Sequence, residues 1–134
     1  MAKKTQVEQT GSMTPYAPPM VRLSMVRDPA AGEPQQIRTS ADVAAMLADM
    51  VTSDREEFRV LLLNGKHRVT AQHVVSVGCL TSTMVHPREV FKAAIMANAA
   101  AVIVAHNHPS GDPTPSPEDR AITQRLVTCG ELLG

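Results

Sequence analysis

Residues 99–119 read AAAVIVAHNHPSGDPTPSPED. The first part, Ala99 to His106, is a short apolar run with β-branched residues at its centre, which is the signature of a buried strand. It delivers the chain to His106, and His108 follows one residue later. On an extended chain residues i and i+2 project to the same side, so the two imidazoles enter one space. Pro109, Gly111, Pro113 and Pro115 make the next stretch turn-rich and stiff, which limits the entropy lost if the chain folds back. The stretch ends in Ser116-Pro117-Glu118-Asp119, the form of a helix start with Ser at the N-cap, Pro at the first helical position and an acid at the third. Two histidines and a carboxylate are a ligand set for catalytic zinc, which takes three protein ligands and keeps a fourth, tetrahedral position for water. Asp119 also reads as a helix cap alone, and a His-x-His pair alone is an ordinary loop feature. The conjunction of strand end, constrained loop and helix start points to a metal site.

Working outward, the periodicities predict an α/β domain. Upstream, His86-Pro87 opens a helix with Val90, Phe91, Ala94 and Ile95 on its core face. His86 is read as part of that helix start rather than as a ligand. Before it, Phe58–Asn64 (FRVLLLN) reads as a buried strand, and Asn64-Gly65 signals a hairpin. The returning strand, HRVTAQHVVSVG, is expected to place Val69, Ala71, Val75 and Val77 on one face. Ser40 is a plausible N-cap for a helix whose apolar stripe is Val43, Met46, Leu47 and Met50. Downstream, the segment from Pro117 predicts a third helix with Ile122, Leu126 and Leu133 inward. Met20–Val26 alternates weakly, as an edge strand would, and Asp28-Pro29 and Gly32-Glu33-Pro34 punctuate a loop behind it. Residues 1–19 lack a hydrophobic period and are expected to be a disordered arm, leaving 20–134 as one domain.

Composition excludes several function classes. At 134 residues the chain has room for one modest core. With no Trp, one Tyr and two Phe, that core must come from aliphatic side chains and methionine. The formal net charge is zero, so no clustered cationic excess announces a grip on nucleic acid, and the aromatics of a base-stacking platform are missing. Cys79 and Cys129 lack metal-type spacing and read as reduced thiols. No apolar run approaches the ~20 residues of a membrane span, and no apolar segment follows the basic start. A soluble, cytoplasmic protein is the expectation.

Residues 86–123, HPREVFKAAIMANAAAVIVAHNHPSGDPTPSPEDRAIT, resemble the core of the RadC family of JAB/MPN domains, and the likeness extends from Ser40 to Gly134. Metalloprotease relatives carry a Glu, then His-x-His, ten residues and an Asp, a pattern that His106, His108 and Asp119 match. The resemblance implies a three-layer α/β/α sandwich of cytidine-deaminase-like type with a mixed sheet. It implies zinc as cofactor, held by His106, His108 and Asp119, and hydrolysis of peptide or isopeptide bonds in a protein or peptide substrate. It also implies a glutamate base at the start of the first hairpin strand, where a Glu-x-Phe pattern selects Glu56 over its neighbour Glu57. Ser116 matches the family's serine, which would donate a hydrogen bond to the developing oxyanion. The Pro-Cys-x-x-Cys pair of the deaminases is absent, and the two histidines of HNH nucleases do not form a contiguous tripeptide. Relatives often carry a helix-hairpin-helix domain and continue past the third helix into a further strand. Neither is found in this sequence, so any borrowed DNA link is weakened and either an open sheet edge or an incomplete core is expected. The rival readings are a non-catalytic MPN interaction module and an accessory factor in DNA repair.

Overall fold

Strand β2 (Glu56–Leu63) is the axis of the structure, a computed structural model that describes residues 15–29, 32–78 and 85–134. Its sequence EEFRVLLL is apolar on both faces from Val60 onward, and Val60, Leu61 and Leu62 are almost wholly buried. A strand buried on both faces must be the middle of a layered stack. Phe58, Val60 and Leu62 face one way and pack with α2 (Pro87–Met96) and α3 (Pro117–Leu133) through Val90, Phe91, Ala94 and Leu126. Leu61 and Leu63 face the other way and pack on Leu47, the cap between α1 (Ser40–Met46) and the short 3-10 helix Ala48–Thr52, and on Met50 of that 3-10 helix. Helices therefore cover both faces, as the expected sandwich requires.

The remaining strands are β1 (Gln35–Gln36), β3 (Arg68–Gly78) and β4 (Ala101–His106), and the sheet order is β1-β3-β2-β4. The sheet was expected to be mixed, yet every pairing among the described residues is antiparallel. The reason is topological: β3 and β4 run parallel, as the helical crossover through α2 demands, but β2 lies between them. No two neighbours are parallel.

Local details correct several expectations. The N-cap of α1 is Thr39, not Ser40: Thr39 Oγ1 accepts from the Asp42 N–H, and Asp42 Oδ2 accepts from the Thr39 N–H at 2.8 Å. Only Thr39 has an acid three residues on, so only Thr39 can close a reciprocal box. At the hairpin, the left-handed residue is His67 (φ 56°) rather than Gly65, and the Asn64 side chain accepts from the Lys66 and Arg68 N–H groups. The four β3 residues expected on one face, Val69, Ala71, Val75 and Val77, do not share it. The register slips by one residue on β3 between the pairs Leu62↔Ala71 and Leu63↔Val69, and again between Phe58↔Ser76 and Arg59↔Val74. A bulge of this kind turns the following side chains over. Val69 accordingly joins the α1 layer, Ala71 and Val75 join the α2/α3 layer, and Val77 is exposed.

The second helix begins as read, with His86 at its N-cap accepting from the Arg88 N–H and Pro87 at its first position. Ile95 and Leu133 were expected inside, but both are exposed; they rim an apolar groove with Phe91 and Cys129 between α2 and the end of α3. Met20–Val26 forms no strand, and its apolar side chains Met20, Val21, Leu23 and Val26 are exposed. Asp28-Pro29 ends that segment, and Pro34 can offer β3 no N–H, so the pairing begins only at Gln35. Of the expected arm, residues 15–19 are exposed without regular structure, while residues 1–14 lie outside the described residues, as does Cys79. No helix among the described residues is long and apolar enough to cross a membrane.

Candidate metal centre

The site forms where β4 ends against the start of α3. Val102 and Val104 pack in the α2/α3 layer, and the period of two puts His106 on that same side at the end of the strand. Phe58, directly opposite in the register, stacks on the His106 ring with centroids 6.1 Å apart and planes 11° from parallel. His108 follows beyond the strand, and its Nε2 lies 3.0 Å from His106 Nε2. Asp119 closes the group: Oδ1 is 3.2 Å from His106 Nε2 and Oδ2 is 3.3 Å from His108 Nε2. The potential ligand atoms of these three residues all lie within 4.8 Å of one another. His106, His108 and Asp119 are thus brought together, and the group could hold a metal ion.

The donor chemistry fits a cation. His108 Nδ1 lies 2.6 Å from the Asp112 carbonyl, which can only accept, so Nδ1 carries the proton and a neutral ring presents a bare Nε2. That lone pair faces a second imidazole nitrogen and a carboxylate oxygen, an arrangement that only a shared proton or a cation relieves. In keeping with this, the hydrogen bond to the Asp112 carbonyl holds the His108 pKa above its ordinary value; partial burial opposes the shift and the Asp119 carboxylate reinforces it. A metal cation at this position would compete with the proton for the same atom.

Asp119 serves two structures at once. Ser116 Oγ accepts from the Asp119 N–H at 3.0 Å, and Asp119 Oδ2 accepts from the Ser116 N–H at 2.7 Å, so the capping box expected for α3 is present. Partial burial acts to raise the Asp119 pKa, but the hydrogen bonds from Ser116 and the nearby His106 outweigh it and leave the carboxyl below its usual range. The cap and the contacts with the two imidazoles are made by one and the same rotamer. Because Ser116 Oγ is an acceptor in the cap, its own hydroxyl proton remains available to a further partner.

Glu56 and Glu57 separate cleanly. Glu57 points to the α1 side, where it accepts from Ser53 Oγ at 2.8 Å and pairs with Arg59 at 2.7 Å, while Arg59 also pairs with Asp49 at 2.7 Å. Hydrogen bonds from Arg59 and Ser53 hold the Glu57 carboxyl below its ordinary range. Glu56 has the parity of Phe58, hence of the His106 face, and its charge contributes to raising the His108 pKa. Sequence reasoning missed two contributors: the Asp112 carbonyl, which orients His108, and Asn107, whose side chain bridges to β2. A carbonyl leaves no trace in residue type. Asn107 could have been suspected from its opposite parity between two ligands.

A family model described as RadC-like JAB domain matches residues 37–134. The chain belongs to the RadC-like JAB family. It is 57% identical over 99 residues to a UPF0758 protein of Moorella thermoacetica, covering 73% of this chain and 43% of that protein. It is 52% identical over 99 residues to one of Desulforamulus reducens, covering 73% and 44%. To one of Rubrobacter xylanophilus it is 50% identical over 114 residues, covering 84% and 49%. The chain therefore spans less than half the length of these relatives. Glu56, His106, Asn107, His108, Asp112, Ser116 and Asp119 all fall inside the matched segment.

Proposed function

We propose that this RadC-like domain is a zinc-dependent metallohydrolase that cleaves peptide or isopeptide bonds in a protein or peptide substrate. The observation that carries the reading is the convergence of His106 Nε2, His108 Nε2 and the Asp119 carboxylate within 4.8 Å, with Glu56 on the same face. His106, His108 and Asp119 would hold the zinc, which when bound would supply a Lewis acid able to polarise the scissile carbonyl and to draw the pKa of a water toward neutrality. Glu56 takes the proton of the attacking water and later delivers it to the leaving amine. Ser116 would donate a hydrogen bond from its hydroxyl to the oxyanion of the tetrahedral intermediate, a contribution of ~3 kcal/mol where such donors have been removed. Phe58 walls the site behind His106, and Asp112 keeps His108 in the ligating tautomer.

Metal content of the purified protein tests the reading. About one zinc per chain is expected, with sharp loss in His106→Ala, His108→Ala and Asp119→Ala. Equal content in the wild type and all three variants refutes the site. A zinc-loaded protein that cleaves nothing in a broad panel of linear and isopeptide-linked peptides refutes the hydrolase and favours the interaction-module reading.

A further inference from the structure

We infer that Asn107, the residue between the two histidines, is the positioning residue that holds His106 and His108 in register with Glu56 on β2. Main-chain pairing of β4 with β2 stops at Phe58↔His106. Beyond that point β2 continues for two residues, Glu57 and Glu56, that pair only on the β3 side, with Val77 and Gly78. The side chain of Asn107 takes over where the β4 backbone leaves off. Its Oδ1 accepts from the Glu57 N–H at 2.7 Å, and its Nδ2 donates to the Arg55 carbonyl at 2.8 Å.

The two bonds fall on the residues flanking Glu56. Their chemistry also fixes the amide orientation, because a backbone N–H can only donate and a carbonyl can only accept. A short side chain carrying both an acceptor and a donor is needed here, and among uncharged side chains of that length only asparagine has both in one plane. Parity completes the arrangement. Asn107 reaches sideways along the sheet while His106 and His108 project to the α3 side, where Glu56 also lies. One residue therefore ties three site groups together: it is covalently next to two ligands and brackets the third group through hydrogen bonds.

The metal half of this inference rests on the proposed zinc site, whereas the clamp itself does not. Amide hydrogen exchange of the full chain, followed by NMR without metal, reads the clamp. In a regular antiparallel strand the Glu57 N–H points toward the β4 side, so its protection depends on Asn107. The wild type should show a protected Glu57 amide. Asn107→Ala should lose that protection by tenfold or more while the amides of Val60 to Leu62 stay protected. Zinc affinity, measured by competition with a metal indicator well below the melting temperature, should fall about tenfold, the usual order when a group orienting a ligand is removed.

A wild-type Glu57 amide exchanging like an open one overturns the clamp without recourse to any variant. So does an Asn107→Ala protein that keeps both protection and affinity, or that loses affinity with protection unchanged. Lost protection with unchanged zinc affinity leaves Asn107 a structural residue only and overturns the positioning role. Absence of zinc binding in the wild type fails the metallohydrolase reading instead, and the Glu57 amide still decides whether the clamp exists.

Discussion

Asp119→Asn separates a metal ligand from a helix cap. In the structure Asp119 Oδ2 accepts from the Ser116 N–H at 2.7 Å, and an amide oxygen at the same place can accept that bond too. The capping box should therefore survive, and the metal-free variant should match the wild type to within about 0.5 kcal/mol, against the ~1 kcal/mol typical of losing a cap. The ligand set fares differently, because the negative charge that faces two imidazole nitrogens at 3.2 and 3.3 Å is gone. With free zinc at a hundred times the wild-type dissociation constant, binding stabilises the native state by about 2.7 kcal/mol. For a domain of this size that corresponds to a rise of roughly 10 °C in Tm. If the variant binds a hundredfold more weakly, the same zinc concentration gives about 0.4 kcal/mol, or a shift of only ~1–2 °C. Differential scanning fluorimetry of apo and zinc-supplemented protein measures both quantities at once. Ser116→Ala supplies the opposite signature: it removes the acceptor for the Asp119 N–H but leaves the Ser116 N–H that holds the carboxylate, so Tm falls while the zinc-induced rise persists. An equal zinc-induced rise in the wild type and Asp119→Asn refutes the assignment of Asp119 as a ligand.

Glu56→Gln should retain zinc and fold normally while hydrolysis of a cleavable peptide drops by roughly 10²-fold or more. Glu57→Gln should keep activity and instead lose about 1–3 kcal/mol in urea unfolding, because the buried Arg59 keeps Asp49 but loses the other of its two ionic partners; activity lost in Glu57→Gln and kept in Glu56→Gln would reverse the assignment. The pH dependence of stability follows from the same pair. The Glu57 carboxyl is held below its ordinary value of 4.5, so its contribution is fully present above that pH and lost as pH falls through the lower folded-state value. The stability gap between the wild type and Glu57→Gln should thus be flat at neutral pH and close below about pH 4.5; a gap that widens in acid contradicts the structure. In the core, Leu62→Ala should cost about 2–5 kcal/mol in urea unfolding, whereas Leu133→Ala, at 55% exposure, should cost within about 0.5 kcal/mol. Comparable losses at the two positions would mean that the end of α3 is packed.

Local chemistry made some of this legible before any coordinates. His86-Pro87 and Ser116-Pro117 announce helix starts because capping involves only neighbours within one turn, and both starts are found where read. The histidine pair was legible for a related reason: the period of two along a strand is a local property. What failed was long-range. The two bulges in β3 are properties of its pairing with β2, and no alternation within Arg68–Gly78 reveals that Val69 and Ala71 belong to opposite layers. Ile95 and Leu133 share the helical period of their buried neighbours, but the period says which way a side chain points and not whether another layer reaches that far. Glu56 lay between these cases. Its residue type and position before a strand said little, and the family likeness was needed to prefer it to Glu57. The structure puts the two on opposite faces through a register that only three strands together define.

The economy of the site lies in how little of it is dedicated to a metal alone. His106 is the last residue of β4, and its ring stacks on Phe58 of the α2/α3 core. Asp119 is the third residue of α3, and the same carboxylate that faces the imidazoles satisfies a backbone N–H that the helix start would otherwise leave unpaired. A carboxylate oxygen has lone pairs for both duties, so ligation need not break the cap. The helix start also keeps the ligand charged: the hydrogen bonds from Ser116 offset the burial that would otherwise favour the neutral acid. Two of the three proposed ligands are therefore positioned by interactions the fold makes in any case, without metal. The third, His108, lies beyond the strand and depends on the Asp112 carbonyl across a proline-rich loop. That asymmetry makes the His108 loop the part of the site whose order should respond most to metal, while His106 and Asp119 should be nearly as ordered without it.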